Sequence, residues 1–363
     1  MSTMTAAEAF PPGEYLRDEL EERGWTVTEF AEIIDRPVQA VSEILNGKKE
    51  ITTETACAFA DALGTTPALW LNLQTAYRLA QQRAKSSGDV GLSAVARRAR
   101  LRELVPLAKA RARGWVSDTN DLDVLEAEVA RFLEIPTLNA RPEVALAARR
   151  ANSGEPVTLE QGAWLARIRE IAGSFRTKRF DLGKLASTAA QVPSLTKGGP
   201  SDLRLLPDLF AECGVSLVFC EGLQGGKLDG AVTFIRDEHP VIGLTTRGDR
   251  FDGVLFTLLH ECAHLVLKHI AADGPVIIDV DLMDSQIDPA EISANEQASA
   301  WLFPDGFTVE STTVQAIVSA ADRYGVHPSV VIGRIQRDSG DWKRHRMRIP
   351  KVRPELIDAG LLR

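Results

Sequence analysis

The chain has 363 residues, which favours two or three domains rather than one. Its hydrophobic content of 44% and charged content of 25% exclude a disordered or fibrous protein. The net charge of −8 excludes a polycation that coats nucleic acid with its whole surface.

Cysteine usage and targeting signals narrow the class further. The four cysteines are scattered without a C-x-x-C pair, which argues against a disulfide scaffold and against a cysteine zinc finger. Residues 1–12 show no secretory signal, and no apolar run approaches the roughly 20 residues that a membrane-spanning helix needs. We therefore expect a soluble cytoplasmic protein with no membrane partner.

Residues 1–80 are predicted to form a set of short helices. The first helix opens at Gly13, with Leu16 and Leu20 at helical spacing. The turn and breaker signals that follow are Asp35-Arg36-Pro37, Asn46-Gly47 and Gly64. They delimit three more helices, over residues 27–34, 38–45 and 53–63.

Residues 26–46 have the shape of a helix-turn-helix, in which the second helix enters the major groove of DNA. Side chains near the start of that helix would face base edges or phosphates, and the two lysines after it would lie against the DNA backbone. The candidate DNA-contacting residues are Arg36, Gln39, Ala40, Ser42, Lys48 and Lys49.

The charge of this segment works against DNA binding. Residues 1–80 contain 13 Asp/Glu and six Lys/Arg, whereas the neutralisation of phosphates supplies most non-specific affinity for DNA. Arg36, Lys48 and Lys49 nevertheless cluster around the candidate recognition helix. A small helical bundle that contacts protein remains the alternative.

The character of the chain changes again after residue 80. Residues 81–200 are predicted to be mostly helical, and residues 81–120 are basic, with nine Lys/Arg and three Asp/Glu. Strands are predicted at 215–219, 231–235 and 240–244, the last two as a hairpin, and a helix follows over 251–269. We expect four segments, namely a helix-turn-helix domain (1–80), a helical middle region (81–200), a mixed domain (201–340) and a basic C-terminal tail (341–363).

The helix over 251–269 contains a His-Glu-x-x-His motif. His260 and His264 are four residues apart, so both imidazoles lie on one helix face and can bind one ion. Zinc lowers the pKa of a bound water toward about 7. Glu261 can take that proton as general base and pass it to the leaving amine of a peptide. The motif therefore predicts a zinc metallopeptidase rather than two structural histidines.

A catalytic zinc ion needs a third protein ligand. Glu291 is the favoured candidate, because Asn295 lies one helical turn later and can hold a ligand histidine by its outer nitrogen. Glu296 competes for the role of third ligand.

The other histidines are expected to have no part in catalysis. His239, His269 and His345 are predicted to be solvated. Tyr324 or His327 could donate to a developing oxyanion, but a packing role is the favoured interpretation of both.

The second half of the chain resembles the ImmA/IrrE family of metallopeptidases over residues 201–340. The matching segments are the motif at 256–264 and the sequence from Glu291 to Asn295 that leads to Trp301-Leu302-Phe303-Pro304. The resemblance implies that His260, His264 and Glu291 bind zinc and that Glu261 is the base. It also implies that the substrate is a transcriptional repressor or an antitoxin-like protein.

Residues 13–75 resemble the helix-turn-helix domain of HigA-type antitoxins within the Cro/C1 (XRE) class. The matching segments are 12–16, 41–49 and 69–74. Together with the first resemblance, this one implies a DNA-binding head joined to a peptidase.

The sequence thus predicts a mainly α chain with a small β-sheet: an N-terminal helix-turn-helix bundle, a helical middle region and an α+β, zincin-like metallopeptidase domain. The expected partners are an operator DNA, bound as a homodimer because half-sites come in pairs, and a protein substrate. Two alternatives stay open. One is a HigA-like regulator or antitoxin without catalysis, whose metal domain senses a signal or binds a partner. The other is a peptidase whose acidic head binds protein.

Overall fold

The computed structural model describes residues 10–86, 93–140, 149–150, 157–235, 238–270, 277–279 and 288–363. Within these ranges the chain is mostly helical with a small sheet, as the sequence predicts. It divides into two compact units, residues 1–93 and 94–363. None of the described helices combines the length and apolar composition that crossing a bilayer requires.

The first unit is a helical bundle that contains the four predicted helices and a fifth, 20-residue helix that was not predicted. Its helices are α1 (Pro12–Arg23), α2 (Val27–Ile33), α3 (Val38–Leu45), α4 (Thr53–Leu63) and α5 (Pro67–Ser86). A capping box begins α2: Thr26 Oγ1 accepts from the backbone N–H of Glu29, and the Glu29 carboxylate accepts from the backbone N–H of Thr26 at 2.7 Å. These reciprocal bonds satisfy donors that the first turn of a helix leaves without a partner.

Three aromatic rings form the centre of this unit. Phe59 lies between Phe30 and Trp70, with ring centroids 5.3 and 5.2 Å away. All three side chains are buried, and the Trp70 indole N–H donates to Thr65 Oγ1 at 2.8 Å. Tilted and edge-on contacts are the arrangements that aromatic pairs favour. They pack α2, α4 and α5 around one core and leave the face of α3 that carries Gln39 exposed.

The second unit combines helices with a five-stranded sheet. Its first helices are α6 (Ala94–Leu104), α7 (Leu107–Ala112), α8 (Leu122–Phe132), α9 (Leu159–Ala172), α10 (Leu182–Leu195) and α11 (Leu206–Glu212). The strands are β1 (Arg149–Arg150), β2 (Ser216–Phe219), β3 (Gly230–Ile235), β4 (His239–Leu244) and β5 (Ile277–Asp279). The later helices are α12 (Phe251–Val266), α13 (Pro289–Leu302), α14 (Val314–Tyr324), α15 (Pro328–Ser339) and α16 (Arg353–Asp358).

The strand order of the sheet is β1-β5-β3-β4-β2. The predicted hairpin is present: β3 and β4 are antiparallel, with Gly230 opposite Leu244 and Ile235 opposite His239. Residues 236 and 237, which the sequence placed in its turn, lie outside the described residues. Strand β2 runs parallel to β4 at the edge of the sheet, and Leu362 pairs with Phe219 on its outer side.

The middle helices and the sheet share one hydrophobic core. Trp164 on α9 is fully buried, and its indole N–H donates to the carbonyl of Cys220 beyond the end of β2 at 2.9 Å. Side chains from α6 to α9 pack with residues of β2, β3 and β4. The expected division at residue 200 therefore falls inside a single compact unit.

Residues 341–363, expected as a basic tail, also belong to the second unit. Val352 and Leu356 are buried in the same core as α12. The backbone N–H of Arg363 donates to the carbonyl of Phe219 at 3.0 Å. The prediction of a tail considered only the basic residues of this stretch. Apolar residues lie between them, and their burial packs the segment against the second unit.

Candidate metal centre and nucleic-acid interface

The predicted metal motif lies on α12, a helix buried at nearly every position from Phe251 to Leu265. Strands β3 and β4 pack against it, as do α10, α13 and α15. A helix that is apolar around its whole circumference is one that a core encloses. His260, Glu261 and His264 are at most 1% exposed within it. Burying polar groups is costly unless they have partners, so these three side chains require them.

The structure brings His260, His264 and Glu291 together. The two Nε2 atoms are 2.9 Å apart, and each is 3.2 Å from a different oxygen of the Glu291 carboxylate. Glu291 comes from the first turn of α13, which packs along α12. Within the described part of the chain, this is the group of His, Cys, Asp and Glu ligands whose atoms converge. Glu296, the competing candidate, is exposed on the same helix.

The outer nitrogens of both histidines are held by hydrogen bonds. His260 Nδ1 donates to Asn295 Oδ1 at 3.1 Å, as the spacing on α13 predicts. His264 Nδ1 lies 3.1 Å from His269 Nδ1, and His269 Nε2 lies 3.2 Å from Ser293 Oγ. The Ser293 hydroxyl donates to the carbonyl of Pro289 at 2.9 Å. In a consistent assignment, both motif histidines carry their proton on Nδ1 and donate it to these partners. The Nε2 lone pair of each ring is then directed at the other ring and at Glu291.

His269 is a residue whose role the sequence missed. It was predicted to be solvated at a helix end, but it lies just beyond α12, where a left-handed Lys268 (φ 58°) turns the chain back toward the helix. Two causes lower the pKa of His269: its burial, which has the larger effect, and the neighbouring His264. The ring of His269 is therefore neutral and can accept a hydrogen bond from His264. The signal in the sequence was the spacing of five residues from His264, which a helix alone would place on another face.

The charge of Glu291 completes the cluster. Burial alone would raise the pKa of this carboxyl, but its interactions with the imidazole rings of His260 and His264 outweigh burial and lower the pKa to about 2. The carboxylate is therefore ionised at neutral pH. An anionic oxygen pair and two imidazole nitrogens converging in a buried space are stabilised by a cation between them.

The donor set and spacing fit zinc. Two imidazole nitrogens and a carboxylate are a known ligand set of catalytic zinc sites. With metal–ligand bonds of about 2.0–2.1 Å, ligand atoms of a tetrahedral ion stand about 3.3 Å apart. The observed separations of 2.9 and 3.2 Å are slightly shorter, so the three residues need only small adjustments to hold the ion.

Glu261, the predicted general base, lies over strand β3. It follows His260 on α12, is 1% exposed, and its carboxylate faces Gly230 at the start of the strand. An ideal Cβ on Gly230 would overlap Glu261 Oε1 and would stand 2.7 Å from Thr257 Cγ2. A residue without a side chain at this position of β3 therefore makes the space that the carboxylate occupies.

Four further candidates have structural partners. Tyr324 donates to the carbonyl of Gly306 at 2.9 Å, and His327 caps α15 by accepting from the backbone N–H of Ser329. These contacts are structural ones, and a structural role is the interpretation that the sequence favoured for both residues. The remaining two are His239, whose Nε2 lies 2.9 Å from Ser216 Oγ, and His345, whose Nε2 lies 2.8 Å from the carbonyl oxygen of Thr312. Both were predicted to be solvated, and both are half-buried.

A cleft of about 350 Å³ lies along the same two helices, and its lining residues do not include His260, His264 or Glu291. Phe256 and Thr257 line it one helical turn before His260, and Ser299 lines it one turn after Asn295. The rings of Phe256 and His260 are 6.3 Å apart. The charged residues of the cleft are Asp229, Arg247, Arg250, Asp252, Arg334 and Arg337.

The predicted DNA-contacting residues surround α3 in the first unit. Gln39 is exposed near its start, where its side chain donates to Glu43 Oε1 at 3.1 Å, and Ala40 and Ser42 are half-buried on the next positions. Val41 and Ile44 form the buried face of the helix. The structure therefore brings the exposed face of α3 and its flanking cations together in one region.

The cations of this region differ in how they are paired. Arg36 forms an ion pair with Glu54 at 2.7 Å, so part of its charge is compensated. Lys48 and Lys49 are exposed in the turn after α3, and neither forms an ion pair within the described residues. The turn closes with Gly47 in the left-handed region (φ 66°), which directs both lysines away from the bundle core.

Comparison with known proteins identifies similarities to the first unit. A family model described as helix-turn-helix (HTH_3) matches residues 16–70. An uncharacterized HTH-type transcriptional regulator, YddM of Escherichia coli (strain K12), is 34% identical over 94 residues, which cover 26% of this chain and 89% of that protein.

Two solved structures are similar over the same share of the chain. An addiction module antidote protein of the HigA family from Coxiella burnetii is 37% identical, covering 23% of this chain and 90% of its own, with a TM-score of 0.22. The Pseudomonas aeruginosa antitoxin HigA, solved with higBA promoter DNA, is 28% identical, covering 22% and 89%, with a TM-score of 0.22. These similarities cover about a quarter of the chain.

Proposed function

Because the chain belongs, through residues 16–70, to the HTH_3 helix-turn-helix family, we propose that it is a DNA-binding transcriptional regulator whose second unit is a zinc-dependent endopeptidase. The family and the exposed face of α3 support the regulatory half. In this proposal Gln39 reads a base edge and Lys48 and Lys49 contact phosphates, and all three side chains are exposed. Half-sites of helix-turn-helix proteins usually occur in pairs, so we propose that the chain binds its operator as a homodimer.

The observation that carries the peptidase half is the buried cluster of His260, His264 and Glu291. Three protein ligands leave one position of a tetrahedral ion open for water or substrate, whereas structural zinc sites are typically closed by four. In the described part of the chain, no fourth His, Cys, Asp or Glu joins the group. The resemblance of residues 201–340 to the ImmA/IrrE metallopeptidases agrees with this assignment.

The residues of the cluster divide the work of peptide hydrolysis. A zinc ion held by His260, His264 and Glu291 would supply a Lewis acid and would lower the pKa of a nearby water molecule to about 7. Glu261 takes a proton from the attacking water and delivers it to the leaving amine. Asn295 and His269 fix the two imidazole rings, so that both Nε2 atoms stay directed at one point. The proposed substrate is a repressor or antitoxin-like protein.

Metal content of the full chain is the first test. We expect about one zinc ion per wild-type chain and its loss in both His260→Ala and Glu291→Ala. Glu296→Ala is the matched control and should keep the metal, since Glu296 lies exposed on the same helix. A wild-type protein that takes up no zinc from a zinc-containing buffer contradicts the proposed metal centre.

Catalysis is tested separately by comparing protein N-termini in cells that express the wild type or Glu261→Gln. We expect new N-termini with the wild type only, while both proteins hold equal zinc. Identical N-termini together with unchanged operator control would favour the regulator without catalysis. The helix-turn-helix match gives that second candidate its support.

A further inference from the structure

The cleft beside the metal cluster carries an excess of positive charge. It is lined by four arginines and two aspartates, among apolar side chains that include Phe256, Leu302 and Trp342. A concave site of this size with apolar walls and a few fixed polar groups is typical of a ligand pocket. Phe256 and Thr257 line the cleft about one helical turn before His260 on α12. A peptide bound at the metal centre could therefore extend into the cleft.

The positive charges of three of the four arginines are compensated by ion pairs with aspartates. Arg247 forms an ion pair with Asp229 at 3.2 Å, and Arg250 forms one with Asp252 at 2.6 Å. The third, Arg334, forms an ion pair with Asp338 at 2.9 Å. These pairs hold the guanidinium groups in place and leave them little capacity for a charged ligand.

Arg337 differs from the other three. It forms no ion pair within the described residues, and its guanidinium carbon lies 5.0 Å from the centre of the Phe256 ring. That ring is 6.3 Å from the His260 ring. The two contacts place the Arg337 guanidinium no further from the His260 ring than about four residues of extended peptide, at roughly 3.4 Å per residue.

From this geometry we infer that the cleft binds an acidic side chain of the peptide substrate, with Arg337 as the residue that recognises it. The inference rests on the proposed peptidase function, because it requires a peptide lying across the metal centre. A guanidinium stacked on an aromatic ring keeps a fixed orientation and can donate two parallel hydrogen bonds to a carboxylate. The substrate therefore carries Asp or Glu within about four residues of the cleaved bond.

Binding can be measured without cleavage. The probe is an array of otherwise identical peptides that carry Asp, Glu, Asn, Gln or Lys at one position, incubated with full-length, zinc-loaded Glu261→Gln protein. We expect Asp and Glu peptides to bind about tenfold better than Asn and Gln peptides. Adding Arg337→Ala should remove the preference, and adding Arg337→Glu should shift it to Lys.

The control is Arg131→Ala, which removes an equally charged but mostly exposed side chain on α8, away from the cleft. It should leave the preference for acidic peptides intact. Equal binding of Asp and Asn peptides overturns the inference, and so does an acidic preference that survives Arg337→Glu. Binding of acidic peptides by a protein that cleaves nothing supports the inference and rejects the peptidase, whereas cleavage without acidic preference does the reverse.

Discussion

Gly230 and Glu261 are complementary: the strand residue lacks the atom that would occupy the position of the carboxylate. A Cβ at residue 230 would overlap Glu261 Oε1 and press on Thr257. The first residue of β3 thus determines where the proposed general base of α12 lies. The two residues are far apart in the sequence, so this relationship arises only because α12 packs on β3.

Gly230→Ala should therefore reduce catalysis more than it reduces metal binding. We expect a loss of at least tenfold in cleavage, because the carboxylate must move, together with a destabilisation of about 1–3 kcal/mol from overpacking. Zinc content and cleavage are measured on the same preparation. Gly183→Ala is the control, since a Cβ there meets its nearest atom at 3.5 Å. Unchanged cleavage in Gly230→Ala would show that the position of Glu261 does not matter.

Removing the metal should destabilise the second unit. A ligand at about 1,000 times its dissociation constant stabilises the folded state by about 4 kcal/mol, which corresponds to roughly 10 °C in melting temperature for a unit of this size. Calorimetry of the full chain with zinc and with a chelator measures the difference. In His260→Ala the two melting temperatures should coincide, and a zinc-dependent shift that persists in this variant contradicts the assignment of the ligand.

Asn295 should influence zinc affinity without binding the ion. Its Oδ1 accepts from His260 Nδ1 at 3.1 Å, and replacing such a partner typically lowers metal affinity 10–100-fold. We expect this loss for Asn295→Ala in a competition with a chromogenic chelator. Asn295→Asp keeps the acceptor oxygen and should retain most of the affinity. Equal affinities for the alanine variant and the wild type would remove Asn295 from the site.

His269 should act in the same way on the other ligand. Its Nδ1 lies 3.1 Å from that of His264, and Ser293 holds its far nitrogen. Alanine at 269 should weaken zinc binding about tenfold and leave the melting temperature of the zinc-free chain nearly unchanged. His345→Ala, at a half-buried histidine outside the metal cluster, is the comparison that should show no loss. The chelator competition distinguishes the two variants directly.

The two lysines after α3 should contribute to DNA binding through charge alone. Replacing Lys48 and Lys49 with alanine should weaken binding to every sequence alike and reduce the slope of log affinity against log salt by about 2. Gln39→Ala should instead cost about 1–3 kcal/mol at a single base pair. Titrations of operator and unrelated DNA at several salt concentrations separate these effects. A double-lysine variant with an unchanged salt slope would place the DNA on another face.

Local sequence signals predicted four of the five helices of the first unit and missed α5. Pro37 and Gly64 mark helix boundaries by their backbone restrictions, and α3 and α4 begin and end where those residues require. The hairpin of β3 and β4 followed from two β-branched runs in the same way. These features depend on neighbours in the chain, which the sequence displays directly.

Long-range features were less accessible. The histidine motif and the turn from Glu291 to Asn295 indicated which residues meet, because helical spacing puts each pair on one face. The role of His269 depended on a left-handed residue that reverses the chain, and the arginine cleft depended on α15 packing against α12. The sequence did not show that the helices before residue 200 share a core with the strands after it. An apolar helix face indicates that it is buried but not which element packs against it.

The pairing of Leu362 with Phe219 gives the last residues a protective role. Strand β2 ends the sheet, and an open edge of backbone N–H and carbonyl groups is a template on which other chains can assemble. The final residues occupy part of that edge, where Arg363 both donates to Phe219 and accepts from Glu221. Shortening the chain before Leu361 should uncover this edge of β2, and we expect the shortened protein to be less soluble.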